Sequence, residues 1–110
     1  MYGSPIMPIS GYMEKENGKI IKHLLGIDCQ LLGGAAFVEN CDGPVTATIR
    51  LDTPSQTLVF DFGLKKGLTT VKKLFELQIG TRITVTVTSA KPEMLSGVWV
   101  TLVCKVQHSR

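Results

Sequence analysis

Alternating side chains in three stretches predict a mostly β protein. The expected form is a small antiparallel β-barrel or sandwich of about six strands, α+β only through one late helix. The clearest stretch is Arg82-Ile83-Thr84-Val85-Thr86-Val87-Thr88. Ile83, Val85 and Val87 face one way there, and the arginine and threonines the other. Val45, Ala47, Ile49 and Leu51 repeat the design against Thr46, Thr48 and Arg50. Turn residues then separate the apolar runs: Asn17-Gly18, Asp42-Gly43 and Asp52-Thr53-Pro54-Ser55.

Residues 1–13 hold Gly3, Pro5, Pro8 and Gly11 among apolar side chains, which excludes a helix and predicts an extended arm. Residues 14–110 form a single β-rich domain. The arm's Ile6, Met7, Ile9, Tyr12 and Met13 either pack on their own domain or reach onto a neighbouring subunit. A turn over 14–19 is followed by apolar runs over 20–25 and 27–32. With Gly26 between them, these are one bulged strand or two short ones. Gly33-Gly34 interrupts again before a short apolar piece, 35–38, and a second turn, 40–44. After the strand 45–51, the stretch 56–62 turns Leu58, Phe60 and Phe62 inward and Val59 and Asp61 outward.

Over 69–79 the spacing predicts the helix, with Leu68, Val71, Leu74, Phe75 and Gln78 on one face. Thr69 or Thr70 would cap its start, and Gly80 would close its end in the left-handed conformation. The strand 82–88, a loop over 90–97 and a last strand over 98–106 complete the chain. This order permits an OB-like barrel, a topology that many unrelated functions share.

At 110 residues the chain makes one domain. An apolar share of 44% with 19% charged residues excludes disorder as its global state. A mean hydropathy of +0.19 is high for a lone monomer and points to a homo-oligomer. The N-terminus lacks a secretory pattern, and no apolar run approaches the roughly 20 residues of a membrane span. The expected location is intracellular: the cytoplasm, or the infected cell if a virus or phage encodes the chain. Cys29, Cys41 and Cys104 are an odd set without paired spacing, implying neither a disulfide framework nor a zinc site. Cys104 shares the register of Val98, Val100, Leu102 and Val106 and reads as a small buried hydrophobe.

The net charge of +3 is mild, but its placement is informative. Lys65, Lys66, Lys72 and Lys73 surround the expected helix start, where lysine opposes the helix dipole and an anion would relieve it. With Thr69 and Thr70 they form a candidate anion or nucleic-acid site, which Arg82 extends together with Arg50 and Lys105. Single-strand readers also need exposed rings. Trp99, beside Thr101, Val103 and Lys105, is the one aromatic on an outward strand face. It either stacks on a ligand or lies under a covering helix, arm or second subunit. Tyr2, Tyr12 and Phe37 complete the supply of rings outside the expected core. Thr46, Thr48, Thr84, Thr86, Thr88 and Thr101 form a hydroxyl face, either plain sheet surface or a mate for a second sheet.

Catalysis finds little support. His23 lies in an apolar run and His108 near the C-terminus, and nothing positions a dyad from His23 with Cys29 beside Asp28 or Cys41 beside Asp42. No metal-ligand spacing is present, no cofactor is implied, and neither Gly33-Gly34 nor 63–67 ends as a P-loop does.

Lys73-Leu74-Phe75-Glu76-Leu77-Gln78, followed by Gly80-Thr81-Arg82-Ile83-Thr84-Val85-Thr86-Val87, resembles the short helix and following strand of the HPr phosphocarrier family. That family's phosphorylated histidine sits in a GxHxRPA-type motif. Neither His23 nor His108 has those neighbours, so the resemblance carries no phosphoacceptor.

The functional expectation is a non-enzymatic protein that self-associates and binds a polyanion, most readily nucleic acid. A viral or phage structural or matrix-like subunit is the alternative. A small hydrolase or transferase is the third reading and requires a clustered His–Cys–Asp pocket.

Overall fold

The computed structural model describes residues 5–14 and 18–107. Its strands are β1 (Ile6–Met13), β2 (Gly18–Leu24), β3 (Cys29–Asn40), β4 (Val45–Asp52), β5 (Thr57–Leu64), β6 (Gly67–Leu77), β7 (Arg82–Ser89) and β8 (Ser96–Val106). They form two four-stranded antiparallel sheets, ordered β1-β8-β3-β6 in the first and β2-β7-β4-β5 in the second. The mostly β expectation holds. Three details do not. Among the described residues there are eight strands, no hydrogen-bonded closure into a barrel, and one 3-10 turn (Pro92–Met94) as the whole helical content. That arrangement is not the OB-like ordering. The turn expected at 14–19 lies partly outside the described residues, as Tyr2 and His108 do wholly.

The late helix is strand β6, paired antiparallel with β3 from Val38↔Gly67 to Cys29↔Leu77. The HPr-like likeness therefore does not extend to a helix. Gly80 does take a positive φ of 91°, but in a turn between β6 and β7. There the Thr81 amide and hydroxyl both donate to the Gln78 carbonyl, at 3.1 and 2.7 Å.

The alternating strands behave as their patterns require. Val45, Ala47, Ile49 and Leu51 on β4 and Ile83, Val85 and Val87 on β7 are buried, as are Val98, Val100, Leu102 and Cys104 on β8. Buried residues of both sheets belong to a single hydrophobic cluster. Each large side chain there contributes roughly 1.5–3 kcal/mol by leaving water. The segment expected as an arm runs as β1 along β8, with Ile9 buried and Tyr12 outward. Gly11 is required where β1 nears β2, because a Cβ there would collide with the Ile20 carbonyl. Gly33-Gly34 does not end a strand: it lies within β3, where the register shifts between Leu31 and Gly33 against both neighbours. No helix among the described residues is long and apolar enough to cross a membrane.

Candidate functional site

Each sheet buries one face and presents the other, and the two presented faces differ in chemistry. On the first sheet, Tyr12 pairs with Trp99, Trp99 with Phe37, and Phe37 with Leu68, so one row crosses all four strands. Paired residues of adjacent strands project to the same side, which aligns the four side chains. The Tyr12 and Trp99 ring centroids lie 4.7 Å apart and those of Phe37 and Trp99 5.8 Å apart, both tilted. The row is not covered: Tyr12 is 50% exposed, Trp99 42%, Phe37 43% and Leu68 60%.

The surroundings of the row are mixed, with hydroxyl, aliphatic and, at Lys72 and Lys105, cationic side chains. The next row is Ser10, Thr101, Ala35 and Thr70, with the Ser10 and Thr101 hydroxyls 3.1 Å apart. Beyond it Pro8 and Val103 are paired, and Ile6 and Leu74 are exposed at the two edge strands. A shallow depression of 320 Å³ lies over Gly33, Gly34, Ala35, Val71 and Val103.

The outer face of the second sheet is polar. Lys19, Thr86, Thr48 and Asp61 form one row across its four strands, and Lys22, Thr84, Arg50 and Val59 the next. Leu24, Arg82, Asp52 and Thr57 form the third. Thr46 and Thr88 pair at the far end of the same face. Thr101 belongs to the other sheet, so the expected hydroxyl face is complete apart from it. Two open depressions, of 530 and 420 Å³, lie along this face and share Asp52 and Thr84. Lys19 and Arg50 line the first, and Lys22, His23 and Arg82 the second.

Asp52 anchors the junction. Arg50 Nε donates to both its carboxylate oxygens, at 3.1 and 3.2 Å, and Thr57 Oγ1 donates to it at 2.9 Å. The Thr57 hydrogen bond, then the one from Arg50, hold its carboxyl below the ordinary value.

The lysines singled out in the sequence are dispersed. Lys65 and Lys66 lie in the β5–β6 connection, exposed. Lys72 projects on the first sheet's outer side. Lys73 alternates to the opposite side, its Nζ 5.3 Å from the centre of the Phe60 ring. Thr69 and Thr70 also alternate, so no cap is formed, and Thr69 Oγ1 is buried without a hydrogen-bond partner. Arg82 is on the second sheet, while Trp99 and Lys105 are on the first. Of the expected cationic set, Arg50 and Arg82 share the outer face of the second sheet, and Lys72 and Lys105 that of the first.

Lys19 and Lys22 were missed, and their spacing explains why. Residues three apart do not share a face of a regular strand, but a register shift between Lys19 and Ile21 puts both outward. For the aromatic row the rings were identifiable; their common level depended on strand order.

Cys29 and Cys104 are hydrogen-bond partners in the core, and Cys41 is half-buried. Among the described residues no group of three from His, Cys, Asp and Glu is placed to hold a metal. No protein-family model matches the chain, and no curated protein matches it.

Proposed function

We propose that this protein is a non-enzymatic assembly subunit whose copies associate by covering the outer face of the first sheet. The observation that carries the reading is the exposed Tyr12–Trp99–Phe37–Leu68 row, continued by Ile6, Pro8, Ala35, Val103 and Leu74. Broad apolar patches on a protein surface mark interaction sites, and aromatic side chains dominate their energetics. The aliphatic side chains on the same face as the rings favour another protein surface over a chain of stacked bases. Burying what remains exposed of Trp99 is worth roughly 2–3 kcal/mol before the cost of association. The high mean hydropathy supports the same reading.

The strand order supports a finer version. Two sheets ordered 1-8-3-6 and 2-7-4-5 have jelly-roll connectivity, and a face-to-face sandwich of this kind is used by viral capsid subunits. A coat or matrix-like subunit of a virus or phage, working inside the infected cell, is the form of assembly we favour. Lectin domains and cupins use the same architecture, so the exposed row and not the fold carries the proposal.

Size-exclusion chromatography with light scattering tests it. The full chain is expected above the protomer mass of 12.0 kDa, and Trp99→Asp at that mass. A monomeric wild-type protein over the micromolar range would sink the reading. Deleting residues 1–13 is a poor substitute, because it removes β1 and the buried Ile9 from the core.

A further inference from the structure

We propose that the outer face of the second sheet binds the phosphodiester backbone of a nucleic acid. Lys19, Lys22, Arg50 and Arg82 contact successive phosphates, and threonine hydroxyls donate between them. This goes beyond the assembly reading and uses a different surface.

Four cations on this face meet two carboxylates, Asp52 and Asp61, and Asp52 is already occupied by Arg50 and Thr57. Among the described residues, Lys19, Lys22 and Arg82 have no carboxylate at ion-pair distance. Lys22 and Arg50 sit opposite Thr84 on the two flanking strands, and Arg82 is two residues along from Thr84. Directly opposite residues have Cβ atoms about 4.5–5.5 Å apart and same-face residues of one strand lie about 6.5 Å apart, so three cations surround one hydroxyl. Thr48 and Thr86 continue the hydroxyl line towards Lys19.

Shape selects a chain over a small molecule. The two depressions adjoin and are open, so a polymer can run from Lys22 and Arg82 past Thr84 to Lys19. Chemistry then selects the backbone. No Phe, Tyr or Trp lies in the three rows, and His23 is the one ring lining either depression, so the face offers bases little to stack on. Arginine forks, lysines and hydroxyls are the groups that hold phosphate oxygens without reading sequence. A lipid surface would want an apolar face here, and Val59 and Leu24 are the large apolar side chains these rows offer.

Fluorescence anisotropy with short labelled mixed-sequence oligonucleotides, single-stranded and duplex, tests the proposal. Contacts to three or four phosphates predict that affinity falls roughly 40- to 150-fold for duplex, and roughly 20- to 50-fold for single strands, between about 50 and 200 mM salt. Lys22→Gln with Arg82→Gln is expected to make the log–log salt slope shallower by about two units, and Lys19→Gln alone by about one. Lys65→Gln with Lys66→Gln is expected to change neither affinity nor slope. Circular dichroism confirms the fold of each variant; Lys19→Gln touches no ion pair among the described residues and serves if the double variant does not fold. The proposal is overturned by any of three results: no binding at the lower salt; binding lost in the Lys65/Lys66 variant but kept in the groove variants; or capture of heparin or anionic vesicles without nucleic acid. An all-monomer wild type that still binds the oligonucleotide would defeat the assembly reading and leave this one standing.

Discussion

Cys29 and Cys104 show how far a single position can be argued from its register. Cys104 lies on the inward side of β8 with Val98, Val100 and Leu102, and its partner Cys29 is buried on β3. Burial, reinforced by the neighbouring Cys29, pushes the Cys104 thiol up to about 12 from an ordinary 9.0; burial also raises Cys29. A raised folded value means this contribution to stability is intact below pH 9.0 and lost as pH climbs towards 12. The expected outcome is a falling denaturation midpoint over that window, and a Cys104→Val variant with a flatter profile. With a thiol reagent at neutral pH, Cys41 is expected to react first, and Cys29 and Cys104 only on unfolding. Thr69 is the opposite case. The spacing predicts Thr69 or Thr70 as a helix cap, whereas the Thr69 hydroxyl is buried and unbonded. Thr69→Val keeps the shape and removes an unsatisfied group, so melting temperature is expected to hold or rise, by up to about 1–2 kcal/mol of stability. A clear loss would mean that the hydroxyl has a partner.

At the level of elements, a strand is legible where one face is polar or where the buried face alternates without interruption. β4 and β7 are legible because their outward positions carry Thr, Arg and Asp; β8 is legible from its inward Val98, Val100, Leu102 and Cys104, although Trp99 and Val103 lie outward. β6 was read as a helix because Val71, Phe75 and Leu77 face inward while Leu68 and Leu74 are apolar on the outward side. Superposed period-two patterns of that kind imitate a helical stripe. The misreading and the candidate interface therefore share one cause, an outer face that is not polar. β3 was fragmented for another reason, since Gly33-Gly34 looks like a break. A Cβ on Gly34 would lie 2.6 Å from the Thr101 carbonyl oxygen and 3.0 Å from the Leu102 side chain. Gly34→Ala is accordingly expected to cost about 1–3 kcal/mol, read from the urea midpoint, through the push on β8. Three of the four edge strands carry their own protection: Pro8 within β1, a register shift with Lys19 and Lys22 on β2, and Lys72 with Lys73 on β6. Growth by pairing at those edges is disfavoured.

Across the whole molecule, the apolar face and the cationic face lie on different sheets that share one core. No set of spacings could reveal this, because it depends on β1, β3, β6 and β8 falling in one sheet and β2, β4, β5 and β7 in the other. Under the two proposals, copies would meet by one side and a polyanion by the other, without competition between them. Binding then acquires an avidity component: an assembly offers several cationic faces to one strand, and the second contact is intramolecular. Trp99→Asp, placed in the apolar row, leaves every groove residue in position. Its expected signature is an unchanged salt slope per protomer on a short oligonucleotide, with affinity for a long strand reduced by about 10²-fold or more. Lys22→Gln with Arg82→Gln is expected to show the reverse: an unaltered mass by light scattering and weak binding to strands of either length. If the Trp99 variant lost short-strand affinity too, the two faces would not be independent, and the aromatic row itself would have to be counted among the nucleic-acid contacts.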